Sequence, residues 1–177
     1  MQNIYGYTRK MLEDYFTQIG EKSFKSTQIF EWLYQKKVTS FFDMTNIKKD
    51  VQEKLNNDFS INKIKIVKKL STKDTHKYLF ELEDSNHIEA VVMMHDYGNS
   101  ICVSSQVGCN MGCKFCQSGR LKKVRNLQTH EMVEQILLIE DDLKIRLSSV
   151  VVMGIGEPFD NFDNLIKFLN IINDSKG

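Results

Sequence analysis

Over about the first sixty positions, hydrophobic residues recur at intervals of three and four, which is the spacing of one buried helix face. A helix is predicted from Thr8, a candidate N-cap, to Ile19, with Gly20 ending it. A second helix is predicted to begin at Ser26, and a third to follow Asn46 with Ile47, Val51, Leu55 and Phe59 on its buried face. Other aromatic residues are expected in the core of this bundle rather than stacked on bases: Trp32, Phe41 and Phe42.

Near Ile61 the helical spacing gives way to alternation, which predicts strands. The alternating positions are Ile64 and Ile66; Tyr78, Phe80 and Leu82; and Ile88, Ala90, Val92 and Met94. Turn residues separate these runs, so an antiparallel meander is predicted, ending in a strand over 100–106. Glu89 lies on the strand face opposite Ile88, and the hairpin over 96–99 would bring it within reach of Cys102. The register of that hairpin cannot be fixed from sequence.

The remaining residues repeat a strand–loop–helix order. Thr129 is predicted to cap a helix, and the apolar run 149–153 is predicted to be a parallel strand covered on both faces. A last helix is predicted from 161 or 163 to Ile172. Ligands bind where parallel strands end, so the cysteine-rich loop after residue 106 and the Gly156-Glu157 turn are expected to share one site. The fold class is therefore α/β, or α+β over the whole chain, with a helical domain at 1–60, a β extension at 61–99 and a core at 100–177.

Composition limits the classes of function. The 177 residues are 41% hydrophobic and 27% charged, enough to bury a core, and the formal net charge is +1. No apolar run reaches membrane-spanning length, and the N-terminus lacks a secretion-signal pattern, so a cytoplasmic location without membrane contact is expected. In a reducing compartment, clustered cysteines are metal ligands or catalysts more often than disulfide partners.

Three of the four cysteines, Cys109, Cys113 and Cys116, follow the spacing C-x3-C-x2-C. Three thiolates on one short loop suit a 4Fe–4S cluster whose fourth iron stays open for another ligand. A zinc site is the second interpretation and needs a further ligand such as Cys102 or His130. Buried cysteines without a metal are the third.

A run of basic residues follows the first cysteine of this loop. Between Cys102 and Asn126 it contains no Asp or Glu, and its members are Lys114, Arg120, Lys122, Lys123 and Arg125. A solvated loop is the simplest interpretation. Beside a cofactor, the same run is a candidate contact for a polyanionic substrate.

The cysteine spacing, with Phe115 before the last cysteine, resembles the radical S-adenosylmethionine (SAM) signature, and the turn 154–158 resembles the second motif of that superfamily. The segment Ile101–Cys109, Arg125-Asn126-Leu127 and the Gly-Glu-Pro turn together resemble the RlmN and Cfr adenine methyltransferases of 23S rRNA. Gln28–Trp32 and Met44-Thr45-Asn46 are similar to the accessory domain of that family. The resemblance covers essentially the whole chain. It implies the first part of a partial (β/α)6 radical SAM barrel.

The resemblance also implies residue roles. Cys109, Cys113 and Cys116 would ligate the cluster, and Gly156 and Glu157 would contact SAM. Glu89 would be the proton acceptor, and Cys102 would resolve a covalent enzyme–RNA intermediate formed through a methyl-cysteine. Arg120, Lys122, Lys123 and Arg125 are the candidate RNA contacts.

The implied reaction is methylation of an adenine carbon in 23S rRNA, with C2 as the first choice, C8 left open because no residue discriminates the two, and tRNA left open as a further substrate. A flavodoxin or ferredoxin would supply electrons. The four cysteines all have other roles, so none is left to carry the methyl group. We therefore expect an N-terminal portion of a family member that does not complete methyl transfer alone. The alternatives are a C8-methylating resistance-type homologue and a non-catalytic RNA-binding or zinc-binding fragment.

Overall fold

The computed structural model describes residues 1–61 and 63–177. Its contacts group the chain into two compact units, Met1–Asn62 with Ile166–Gly177, and Lys63–Leu165. The three-part division into 1–60, 61–99 and 100–177 stays a prediction. No helix in the described ranges is both long and apolar enough to cross a membrane.

The first unit contains three short helices, α1 (Arg9–Gln18), α2 (Lys25–Tyr34) and α3 (Lys49–Asp58). As predicted, Thr8 caps α1: its side chain accepts a hydrogen bond from the Met11 N–H. Two short strands, β1 (Gln2–Asn3) and β2 (Phe59–Ser60), pair in parallel. The unit's core is formed by side chains that are fully buried: Leu12, Phe16, Ile29, Phe30 and Leu33.

Two aromatic residues of this unit differ from the prediction. Phe59 lies one residue beyond α3, with extended backbone, and its ring packs edge-on against Tyr7 and Tyr15 with centroids 4.9 Å away in both cases. Pairing with the N-terminal strand therefore overrides the helical spacing. Phe42 is 54% exposed in a single 3-10 turn, whereas its neighbour Phe41 is buried.

The second unit contains a five-stranded sheet. Its strands are β3 (Lys65–Ser71), β4 (Thr75–Glu81), β5 (His87–His95), β6 (Gly98–Cys102) and β9 (Ser149–Val151), and they lie in the order β3-β4-β5-β6-β9. The first four form the predicted antiparallel meander, and β9 pairs with β6 in parallel. A separate two-stranded ladder joins β7 (Gln106–Val107) to β8 (Arg125–Asn126). The observed fold is thus mixed α and β, as predicted.

Two helices follow, α4 (Thr129–Leu143) and α5 (Phe162–Ile172). The N-cap of α4 is Gln128 rather than the predicted Thr129, because Gln128 and Glu131 form a reciprocal capping box. The tyrosine hydroxyl of Tyr78, on β4, donates a hydrogen bond of 2.6 Å to Asp142 of α4. This contact places α4 against the sheet face that carries Tyr78.

The strand boundaries near the predicted site also differ from expectation. The strand predicted over 100–106 ends at Cys102, and pairing resumes only at Gln106. The prediction that both faces of the last strand are covered is wrong: Ser149 is exposed, and Val150 and Val151 are half-buried. Ser149 and Val151 pair with Ser100 and Cys102, so they lie on the sheet face opposite the buried Ile101.

Candidate functional site

The site lies at one edge of the sheet, where the parallel strands β6 and β9 end. Cys102 pairs with Val151 at the end of both strands. After β6 the chain runs through the segment 103–106 into the cysteine loop, and after β9 it enters the turn 154–157. Since the carboxyl ends of parallel strands meet at the same edge, both loops are gathered there, as the sequence predicted.

The cysteine loop, defined as residues 109–121, is closed at its base by the β7–β8 ladder. The Cys109 N–H donates to the Leu121 carbonyl at 2.9 Å, and the Val124 N–H to the Val107 carbonyl at 2.7 Å. Gly108, at the entrance, has φ +73°, and a Cβ there would lie 2.1 Å from the Lys122 carbonyl oxygen. The close approach of the two loop ends therefore requires glycine at this position.

The three loop thiols are free, with Cys113 exposed and Cys109 and Cys116 partly exposed. Within residues 1–61 and 63–177, no three His, Cys, Asp or Glu side chains converge closely enough to hold a metal ion. The type of ligand nevertheless fits an iron–sulfur cluster, since such clusters are held by cysteine thiolates and this loop carries three accessible thiols. The Cys116 N–H bonds the Cys113 carbonyl at 3.0 Å, so these two thiols share one tight turn.

A buried glutamine connects the β7–β8 ladder, at the base of the cysteine loop, to the Gly156-Glu157 turn. Gln106 is fully buried, its side-chain oxygen accepts a hydrogen bond of 2.9 Å from the Glu157 N–H, and its amide nitrogen donates to Asn126 at 2.8 Å. The Gln106 N–H itself donates to the Ile155 carbonyl at 3.1 Å. A Cβ on Gly156, where φ is +111°, would lie 2.6 Å from the Gln106 Cβ. The turn is thus packed directly on the segment that precedes the cysteines.

Cys102 lies beside this turn as a half-buried free thiol. Burial raises the pKa of its thiol above the ordinary value, and a hydrogen bond from the Met153 backbone N–H acts in the opposite direction. Desolvation disfavours the thiolate, and it is the larger of the two effects on the pKa of Cys102. At neutral pH the group is therefore held mainly as the thiol.

Alkylation of Cys102 by iodoacetamide should consequently rise at higher pH in the folded chain than in the same chain unfolded in urea, because only the thiolate reacts. Peptide-level mass spectrometry after timed quenching measures this for each cysteine separately. Equal pH profiles for Cys102 in the two states would contradict the pKa direction.

Glu89 lies on the same sheet face as Cys102. In the observed register Val91 pairs with Cys102, and Glu89 is two positions along the same strand. The sequence placed Glu89 and Cys102 in one hairpin, and the register makes them diagonal neighbours, roughly 7–8 Å apart between Cα atoms. The Glu89 carboxylate pairs with the Lys77 ammonium at 2.9 Å. Lys77 was missed by sequence reasoning, although its alternation with the buried Tyr78 places it on the face opposite the core.

The candidate RNA contacts differ in their surroundings. Arg120 and Lys122 are exposed, and Lys123 lies 3.9 Å from Asp160. Arg125 is occupied by carboxylates: its Nε donates to Asp84 at 2.6 Å, and both terminal nitrogens donate to the buried Glu131 at 2.7 Å. These partners raise the pKa of Arg125, and the hydrogen bond from Arg125 is the largest cause of the lowered Asp84 pKa. This geometry favours a structural role for Arg125.

Comparisons with known proteins give a consistent result. Residues 2–61 match the model of the ribosomal RNA large subunit methyltransferase N-terminal domain, and residues 103–176 match that of the radical SAM superfamily. A probable dual-specificity RNA methyltransferase RlmN of Enterococcus faecalis is 52% identical over 99% of the chain and 51% of its own length. The Bacillus subtilis protein of the same name is 50% identical over 99% of the chain and 49% of its own length.

One solved structure agrees with the fold. A radical SAM methyltransferase from Sphaerobacter thermophilus matches with a TM-score of 0.88 and 31% identity, over all of this chain and 53% of that one. The chain spans about half the length of the curated relatives it matches. The radical SAM match implies a 4Fe–4S cluster and SAM as cofactors. Over nearly its whole length the chain is therefore similar to about half the length of the RlmN methyltransferases, and its residues 103–176 match the radical SAM superfamily.

Proposed function

We propose that this chain is the cofactor-binding part of a radical SAM enzyme that methylates an adenine carbon in RNA. The observation that carries the proposal is the hydrogen-bonded connection that Gln106 makes between the β7–β8 ladder, at the base of the cysteine loop, and the Gly156-Glu157 turn. Thiol ligands and a glycine-lined turn on one edge suit a cluster and the SAM molecule bound to it. The RNA-methyltransferase names of the relatives support the substrate class.

Within this proposal, Cys109, Cys113 and Cys116 would hold the cluster, and Gly156 and Glu157 would hold the methionine part of SAM. When bound, the cluster and SAM would supply the electron and the 5'-deoxyadenosyl radical that start the reaction. The glycine at 156 keeps the turn free of a side chain, so a ligand can approach the backbone closely. Gln106 fixes the Glu157 N–H in place.

Two further side chains would serve the later steps. Glu89 would accept the proton removed from the methylated ring. The Cys102 thiolate would form a disulfide with the methyl-carrying cysteine, which is not among these residues, as the carbon–sulfur bond between that cysteine and the RNA breaks and the RNA carbon takes up a proton. The common face and diagonal register of Glu89 and Cys102 support this pairing of roles. With four cysteines in the chain and each assigned, we expect no methyl-carrying cysteine here and no methyl transfer by the chain alone.

The proposal also names substrates and partners for the whole enzyme. We propose C2 as the methylated carbon, 23S rRNA and tRNA as substrates, a flavodoxin or ferredoxin as electron donor, and a cytoplasmic location. Arg120, Lys122 and Lys123 would contact RNA phosphates because they carry positive charge and lie at the C-terminal end of the cysteine loop or just after it.

A chimera tests the proposal directly. The 177-residue chain is joined to the part of the Enterococcus faecalis relative that it does not match, reconstituted anaerobically, and incubated with 23S rRNA, SAM and a reductant. Mass spectrometry of the digested RNA should find adenine methylated at C2, and none with the Cys113→Ala chimera. Absence of methylated adenine from a chimera that cleaves SAM would overturn the methyltransferase proposal, and methylation at C8 would overturn the choice of carbon.

Loss of the Gln106 side chain should weaken SAM binding more than it weakens the fold. In cluster-loaded chain, Gln106→Ala is expected to raise the Kd for SAM by about tenfold, corresponding to the net worth of one buried hydrogen bond. Isothermal titration under anaerobic conditions measures the Kd, and iron content should be unchanged.

The matched control is Gln135→Ala. Gln135 is likewise fully buried and its side-chain amide is hydrogen-bonded to backbone, but its partners are the Ser104 N–H, the Ser104 carbonyl and the Glu131 carbonyl rather than the Gly156-Glu157 turn. Gln135→Ala should lower the melting temperature about as much as Gln106→Ala does, but it should change the Kd for SAM little. Equal effects of the two variants on SAM binding would show that Gln106 acts only through stability.

A further inference from the structure

One face of the sheet is open while the other is covered. Directly paired residues lie on the same face, so the register defines a row across all five strands: Leu70, Lys77, Val91, Cys102 and Val151. A neighbouring row consists of Lys68, Leu79 and Glu89. Each of these side chains is exposed or half-buried. On the opposite face, which α4 contacts through the Tyr78–Asp142 hydrogen bond, the neighbouring side chains are buried: Tyr78, Phe80, Ala90, Val92 and Ile101.

The open face carries Cys102 and Glu89, and it therefore fixes where a substrate must lie. An adenine ring that reaches Cys102 has to approach from this open face, because the sheet itself and α4 block the opposite face. Lys77 stands on β4, two strands from Cys102, and adjacent strands are about 4.8 Å apart. The separation of roughly 10 Å corresponds to about three nucleotides at the 3.4 Å rise of a stacked strand. A nucleic acid that places a base at Cys102 would thus extend across the lysines.

The charges on this face favour a polyanion. Two carboxylates lie there, and each is already paired with a lysine, Glu89 with Lys77 at 2.9 Å and Glu81 with Lys65 at 3.9 Å. Lys68 has no ion pair in the part of the chain that the structure describes, and its charge is uncompensated. An ammonium group has three donors, so Lys77 can hold Glu89 and a phosphate oxygen together.

We propose that the open face of β3, β4 and β5, through Lys68 and Lys77, binds the phosphate backbone of the substrate RNA beside Cys102 and Glu89. The inference rests on the proposed RNA substrate and extends its contacts from the cysteine loop to the other side of the site. Leu70 and Leu79 lie between the lysines and give the flanking nucleotides an apolar surface.

Neighbouring lysines on one strand supply a matched test. Lys69 follows Lys68 on β3 but lies on the covered face, where it pairs with Asp142 at 2.6 Å. Fluorescence anisotropy measures binding of a labelled RNA hairpin with an adenine in its loop to the cluster-loaded chain over a range of salt concentrations. Lys68→Gln should weaken binding several-fold and reduce the slope of log K against log salt by about 0.7–0.9. Lys68→Gln/Lys77→Gln should do more, and Lys69→Gln should leave both quantities unchanged.

The outcomes separate this inference from the function it rests on. Equal effects of Lys68→Gln and Lys69→Gln would overturn it, since a general charge effect would then explain both. If Lys122→Gln/Lys123→Gln weakens binding and Lys68→Gln does not, RNA binds the basic loop alone and the open face is not used. A wild-type chain without salt-dependent RNA binding would overturn both the inference and the RNA part of the proposed function. Circular dichroism confirms that each variant is folded.

Discussion

Alanine at any one of Cys109, Cys113 and Cys116 is expected to abolish iron binding by the anaerobically reconstituted chain. Each thiolate would hold a different iron, so one missing ligand leaves an iron without protein contact and the cluster open to loss. Iron should fall from about four per chain to below about one, with loss of visible absorbance. Metal analysis and absorbance spectra measure the change.

Cys102→Ala is the control for these variants. It is a half-buried free thiol in the same unit, but it belongs to the end of β6 rather than to the cysteine loop. It should retain iron and absorbance. Loss of iron from Cys102→Ala equal to that from Cys113→Ala would favour a site in which Cys102 is a fourth ligand, as the zinc interpretation requires.

The second large effect is expected at Gly108, where alanine should destabilise the loop entrance. The left-handed φ of +73° disfavours any Cβ, and the Cβ would lie 2.1 Å from the Lys122 carbonyl oxygen, a backbone atom that cannot rotate away. Strain and overpacking together should cost about 2–4 kcal/mol. Chemical denaturation of the apo chain measures the loss, and cluster incorporation should fall with it.

Gly112→Ala separates backbone strain from the steric overlap of the added Cβ. Gly112 also has a left-handed φ, +63°, but a Cβ there has nothing within 4 Å. It should cost only about 1 kcal/mol, from backbone strain alone. A Gly108→Ala variant as stable as Gly112→Ala would contradict the close approach of the two loop ends.

The sequence was most informative where local signals agreed. Thr8, the apolar stripe and Gly20 predicted α1 because capping, burial and termination all depend on nearby residues. Alternation placed Glu89 on the face opposite the core, because the direction of a strand side chain also depends on nearby residues. The order of strands put the cysteine loop and the Gly156-Glu157 turn at one edge of the sheet. The resemblance to radical SAM proteins rested on the spacing of three cysteines and the glycine-rich turn, and residues 103–176 match the model of that superfamily.

Contacts between distant residues could not be predicted. Arg125 looked like a free cation because one of its two carboxylate partners, Asp84, is 41 positions away in a turn whose location depends on the sheet register, and the other, Glu131, reaches it only once α4 has formed after β8. Phe59 fitted a helical stripe, but a parallel pairing with Gln2 ended the helix before it. Lys77 became a neighbour of Glu89 only through the pairing of β4 with β5. In each case tertiary pairing, which local pattern does not encode, set the outcome.

The central claim is that the cysteine loop and the Gly156-Glu157 turn form one cofactor site. Electron paramagnetic resonance of the reconstituted, reduced chain, recorded with and without SAM, tests it most directly. We expect a reduced 4Fe–4S signal that changes shape when SAM is added and that Gln106→Ala makes less sensitive to SAM. A colourless chain that takes up zinc instead, or an iron–sulfur signal unchanged by saturating SAM, would contradict it.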